Sequence, residues 1–161
     1  MAHAIVVLWA ALAVQVPDSA ARARYAAALR NLSDSLSAVE AAAALVQADL
    51  VNASRDLVIS RSARLTARCA GARAAARSLD SLLVAVPLRP PPPPPHPPLG
   101  RELAMLRMEL TRCEAAFTTG RGYERADSVR AWAPHRIARL DDAVRRYRLS
   151  ARTLMRRTGL E

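Results

Sequence analysis

Apolar residues recur along much of this chain in alternating steps of four and three. The first series is Tyr25, Leu29, Leu32, Leu36, Val39, Ala43, Val46, Leu50, Ala53 and Leu57. That spacing places one residue per turn on a single side of an α-helix, as in a heptad seam. The opposite side carries Arg30, Asp34, Glu40, Asp49 and Arg55. Continuing the series would bury Ser60 and Arg64, so it stops near Leu57. A second series begins one residue later: Val58, Ser62, Leu65, Cys69, Ala72, Ala76, Leu79, Leu83 and Val86. A one-residue phase slip turns the stripe around the helix or marks a break. The spacing predicts either one helix from about Ser19 to Ala85 or two helices meeting at Val58-Ile59-Ser60-Arg61-Ser62. Asp18 or Ser19 is the expected N-cap.

Two further series follow. Leu99, Leu103, Leu106, Leu110, Cys113 and Phe117 predict a third helix, ended by Thr118-Thr119-Gly120-Arg121-Gly122. Glycine there supplies the left-handed backbone common after a helix end. A short helical turn is expected over Glu124 to Trp132. Pro134 is then expected as the first residue of a last helix, where its missing N–H costs nothing. The seam of that helix is Ile137, Leu140, Val144, Tyr147, Ala151 and Leu154. Its solvent side carries Arg136, Arg139, Arg145, Arg146, Arg148, Arg152, Arg156 and Arg157.

Between the second and third series lies Pro90-Pro91-Pro92-Pro93-Pro94-Pro95-His96-Pro97-Pro98. Proline lacks the backbone N–H and fixes φ, so this run is neither helix nor sheet interior. It predicts a polyproline II spacer, with an aromatic-groove ligand as the competing reading. Aromatic residues make up only 4% of the chain, and alanine and leucine abound. Both favour helix. The fold class expected is all-α: a long helical hairpin or small helix bundle with coiled-coil-like seams. Its arms, residues 21–86 and 99–161, are joined by a polyproline linker at 87–98. Alanine buries little apolar area, so the long N-terminal arm needs the second arm or a partner to be stable.

Residues 1–20 read as a signal peptide and lead-in. Ala4 to Val14 is an uncharged apolar run, too short for a membrane span of about 20 residues, and Ala11-Leu12-Ala13 fits a small-x-small cleavage pattern. The competing readings are an uncleaved membrane-touching segment and a buried core element. Met1-Ala2-His3 lacks the arginine or lysine usual before such a run.

The chain has a net charge of +10, and all 24 basic residues are arginine. Arginine with alanine fits the coding bias of a GC-rich genome; it also suits bidentate contacts to phosphate or carboxylate. Residues 1–86 hold 9 Arg against 6 acids, and residues 87–161 hold 15 against 8. An anionic partner is therefore expected to meet the C-terminal arm.

Cys69 and Cys113 both fall on seams. Cys69 lies about 25 Å before the end of its helix and Cys113 about 21 Å after the start of the next, at 1.5 Å per residue. If the arms fold back antiparallel, the two come level and form a disulfide, which export permits. A straight proline rod of about 37 Å would make the arms parallel and separate them. Two buried thiols are the alternative to the bond.

No phosphate loop, zinc-type cysteine pair or haem attachment motif is present. His3, His96 and His135 share no helix face. Asp141-Asp142 reads as dipole-favouring acids near a helix start. Asn31-Leu32-Ser33 and Asn52-Ala53-Ser54 match the glycosylation pattern but fall mid-helix on this reading. No cofactor, metal or catalytic role is expected. The sequence predicts an exported helical binding or scaffold protein of the bacterial envelope, periplasmic or extracellular. Its partner is a protein, a second copy or an anionic membrane surface. Alternatives are an accessory subunit packed on a membrane complex and, if the chain stays inside the cell, a nucleic-acid-associated protein. Nucleic acid is disfavoured because only Tyr147 interleaves the arginines.

Overall fold

The computed structural model describes residues 18–86, 99–118 and 126–160. Four helices make up almost all of them: α1 (Asp18–Asn52), α2 (Arg55–Ala85), α3 (Leu99–Thr118) and α4 (Ala126–Thr158). No strand occurs among the described residues. The chain is an all-α bundle. The expected signal segment, the proline run and the turn at Gly120-Arg121-Gly122 lie outside the described residues.

The predicted seams are buried through most of their length; Leu57 is exposed, and Ala53, Leu83 and Val86, at or near helix ends, are partly buried. Leu32, Leu36, Leu65, Cys69, Leu79, Leu103, Leu106 and Leu110 have essentially no exposure. Alanines fill much of the rest, with Ala43, Ala72, Ala76, Ala133 and Ala143 buried in the same core. Small side chains there let helices approach closely.

Each arm folds back on itself: the first is two helices, one of the two expected arrangements, and the second is α3 and α4, with the short turn expected before Pro134 merged into α4 from Ala126 onward. Neighbours run antiparallel. Tyr25 meets Leu82 while Asp49 meets Arg61, which sets α1 against α2. Arg73 meets Glu114 while Asp80 meets Arg107, which sets α2 against α3. Glu102 pairs with Arg146 across α3 and α4, and Glu40 with Arg148 across α1 and α4. The helices thus form a ring in chain order. Val86 and Leu99, which flank the proline run, lie at the same end of the bundle.

The break between α1 and α2 falls at Ala53 and Ser54, not at 58–62 as the phase slip suggested. Ser54 is an N-cap with extended backbone, and its hydroxyl accepts from the Leu57 amide at 3.4 Å. Asp56 follows in the first turn, where a negative charge suits the helix dipole. Leaving the helix for two residues rotates the stripe, so Val58 is buried and Leu57 is exposed. Asn52-Ala53-Ser54 is therefore this inter-helix connection rather than mid-helix. Residue 86, which precedes a proline, leaves helical geometry with φ −134°. Its carbonyl and that of Leu82 accept the Tyr25 hydroxyl, so α1 satisfies the open end of α2.

α4 also departs from expectation. It runs unbroken from Ala126 through Pro134, which is inside the helix rather than at its start. Val129 and Ala133 are fully buried and carry the seam one and two turns upstream of Ile137. Pro134 is on the exposed side, so the ring cannot clash with a neighbouring helix. Arg130 anchors the same turn: its Nε donates to the Leu50 carbonyl at 2.7 Å and its Nη2 to the Ala53 carbonyl at 3.0 Å. A cation on the last carbonyls of α1 is favourably placed. At the other end Gly159 takes φ +63°, and the Leu160 amide donates back to the Met155 carbonyl at 3.1 Å. This is a Schellman stop, completed by the buried Leu160 side chain.

Candidate functional site

Cys69 of α2 and Cys113 of α3 are joined by a disulfide, with Cα atoms 6.3 Å apart. Both are buried, and an ion pair, Arg73–Glu114 at 2.7 Å, lies one turn away. The bond fits the antiparallel arrangement of α2 and α3. Its position in the core makes it a structural cross-link.

The eight arginines expected on one solvent face of α4 do not act as one face. Arg148 is half-buried and grips both carboxylate oxygens of Glu40 at 2.8 Å, while also reaching the Ser37 hydroxyl at 3.1 Å. It is an α1–α4 clamp. Arg146 pairs with Asp142 at 2.8 Å and lies 3.8 Å from Glu102 of α3. Arg136 and Arg139 share the side of Arg146 by spacing. Arg145, Arg152 and Arg156 fall on the α1 side with Leu149 among them, at steps of four, three and four. All three arginines are exposed, and none forms an ion pair with a described residue. Arg157 is exposed as well. Glu40, expected on the solvent side of α1, turns out to be a bundle contact. Its pairing with a residue 108 positions away leaves no trace in helical spacing.

Between α1 and α4 runs an open trough of about 750 Å³. Glu40, Ala44 and Gln47 line it from α1; Asp141, Arg145 and Arg152 line it from α4. Burial raises the pKa of the Asp141 carboxyl above its ordinary value; Glu40 adds to the rise and Arg145 opposes it. Beside the trough the outer side of α1 is apolar: Ala41, Ala44, Leu45 and Ala48 are exposed, and Val51 is 78% exposed.

Among the described residues, no group of three or more His, Cys, Asp or Glu side chains could hold a metal ion. No described helix is long and apolar enough to cross a membrane. His135 is exposed on α4. The buried hydroxyls of Ser62 and Tyr147 have no hydrogen-bond partner among the described residues.

The tyrosines make alkaline stability a clean readout. Burial raises the pKa of both Tyr25 and Tyr147 above the ordinary 10.0. The chain has no lysine, and arginine stays charged above pH 12, so tyrosine dominates titration in that range. The unfolded chain loses the phenolic proton near pH 10 while the folded one keeps it. Stability is therefore whole below about pH 10 and falls as pH rises further. Chemical denaturation at rising pH should show this drop, and Tyr147→Phe should remove most of it. The same change should raise neutral-pH stability by about 1 kcal/mol, since it deletes an unpaired buried hydroxyl. A drop unchanged in the variant would contradict the assignment.

No family model, curated protein or solved structure matches the chain.

Proposed function

We propose that the chain is an exported helical binding or scaffold protein of the bacterial envelope, acting by association rather than catalysis. In this reading residues 1–20 direct export, the heptad seams pack as in coiled coils, and the proline run is a rigid spacer. The single observation that carries it is the disulfide across the bundle core. Such bonds persist in oxidising compartments and are rare in the bacterial cytosol. The arginines left outside the bundle's own ion pairs supply a surface for an anionic partner. A second reading, an accessory subunit on a membrane complex, draws on the exposed alanine side of α1 at Ala41, Ala44 and Ala48.

Mass spectrometry of protein recovered from a producing bacterium tests the main reading. The expected product begins near Val14 and is lighter by two hydrogens than the dithiol form. An intact Met1 with two free thiols, recovered from the cytosolic fraction, would overturn export and favour the cytoplasmic alternative.

A further inference from the structure

Building on the association role above, we propose that the α1–α4 trough receives an acidic amphipathic helix of a partner protein. Shape is the first argument. The trough runs between two antiparallel helices and is open to solvent, so a third helix can lie along it. Its α1 wall continues into the exposed strip Ala41, Ala44, Ala48 and Val51, which share a side by steps of three and four. Residues 41–48 carry no charge, and Asp49 is held by Arg61 on the α2 side. Alanine side chains permit close backbone approach, which favours an apolar helix face over a loop.

Charge is the second argument. Arg145 and Arg152 line the trough, and Arg156 stands one turn further on. From Arg145 to Arg156 this edge spans about 16 Å of helix, matching glutamates spaced over three turns of a partner. A second copy of the chain is a poor source of such carboxylates. Seven of the described acidic residues are already held in intrachain ion pairs, and the chain carries +10. A bilayer also fits poorly. The trough is concave, and no aromatic side chain is exposed among the described residues to insert at a lipid interface.

The two acids in the trough sharpen the proposal. Glu40 is neutralised by the bidentate grip of Arg148. Asp141 has no such grip among the described residues and faces the incoming carboxylates at close range. It weakens an acidic ligand, so its removal must strengthen binding.

The test uses the oxidised protein and a labelled helical peptide of about 18 residues, long enough to span the arginine edge. The peptide carries glutamates along one edge beside a leucine–alanine stripe, and a matched peptide carries glutamine instead. Vesicles of equal phosphatidylglycerol and phosphatidylcholine form the third arm. The expected result is tighter binding of the glutamate peptide, weakened by salt. Arg145→Gln with Arg152→Gln should reduce its affinity about tenfold, at up to fivefold for each exposed pair. Asp141→Asn should increase it about threefold, and Arg139→Gln, on the α3 side, should leave it unchanged. Equal binding of both peptides, or indifference to the arginine pair, overturns the proposal. So does binding to vesicles through these arginines without binding to the glutamate peptide, a result that leaves the association role standing. Cytosolic, reduced protein in the mass measurement defeats that broader role whatever the peptide does.

Discussion

Replacing Cys69 and Cys113 together by alanine is expected to destabilise the protein by about 3–4 kcal/mol. The bond spans a sequence separation of 44 residues, so its loss releases a long closed loop in the unfolded chain. Domains of this size are stable by only about 5–15 kcal/mol, so a large share of the total is at stake. The loss reaches beyond chain entropy alone: α2 and α3 meet through alanines as well as leucines, and alanine contributes little burial. In thermal unfolding the variant should melt about 10 °C lower, at 2–4 °C per kcal/mol for this size. Adding a reductant to the native protein should reproduce the shift, and adding it to the variant should do nothing. A midpoint that ignores both treatments would show that the bundle does not depend on the cross-link.

Leu106→Ala should cost about 3–5 kcal/mol. Leu106 is fully buried on α3, the shortest helix, at 20 residues. Its neighbours along the seam, Leu103 and Leu110, are equally buried, so little can move in to fill the space. Leu149→Ala makes the contrast. Leu149 is 69% exposed on α4, and its truncation should change stability by less than about 0.5 kcal/mol. Urea denaturation of both variants decides the point. Comparable losses at the two positions would contradict the packing described for α3.

The seams were the legible part of the fold. Alternating steps of four and three are a direct imprint of one buried helix side, and they located the core of all four helices. The cysteines were legible for the same reason, since depth along a helix follows from residue count. The α1–α2 break was only half legible. The phase slip registered its effect four residues late, because a turn displaces the stripe after the capping residue has acted. Ser54 with Asp56 is the direct signal, but the seam through Leu50, Ala53 and Leu57 continues across it and hides it. Pro134 misled in the opposite direction. Proline fits both a helix start and the exposed side of a continuing one, and Val129 with Ala133 was the deciding pattern. The candidate site was the least legible. Which arginine meets which acid depends on how α1 lies against α4, and helical spacing says nothing about that. Arg148 therefore reads as a solvent group and Arg130 carries no signal in the spacing, although both hold α1 against α4.

The ring of helices has joints of unequal kind. The α2–α3 joint is covalent. The α1–α4 joint, opposite it, depends on Arg148 reaching Glu40 and on Arg130 reaching the end of α1. Such a molecule behaves like a book with a sewn spine. Its covers, α1 and α4, are held shut by the shared apolar core and a few long side chains, with no covalent bond between them, while the spine keeps the pages in register.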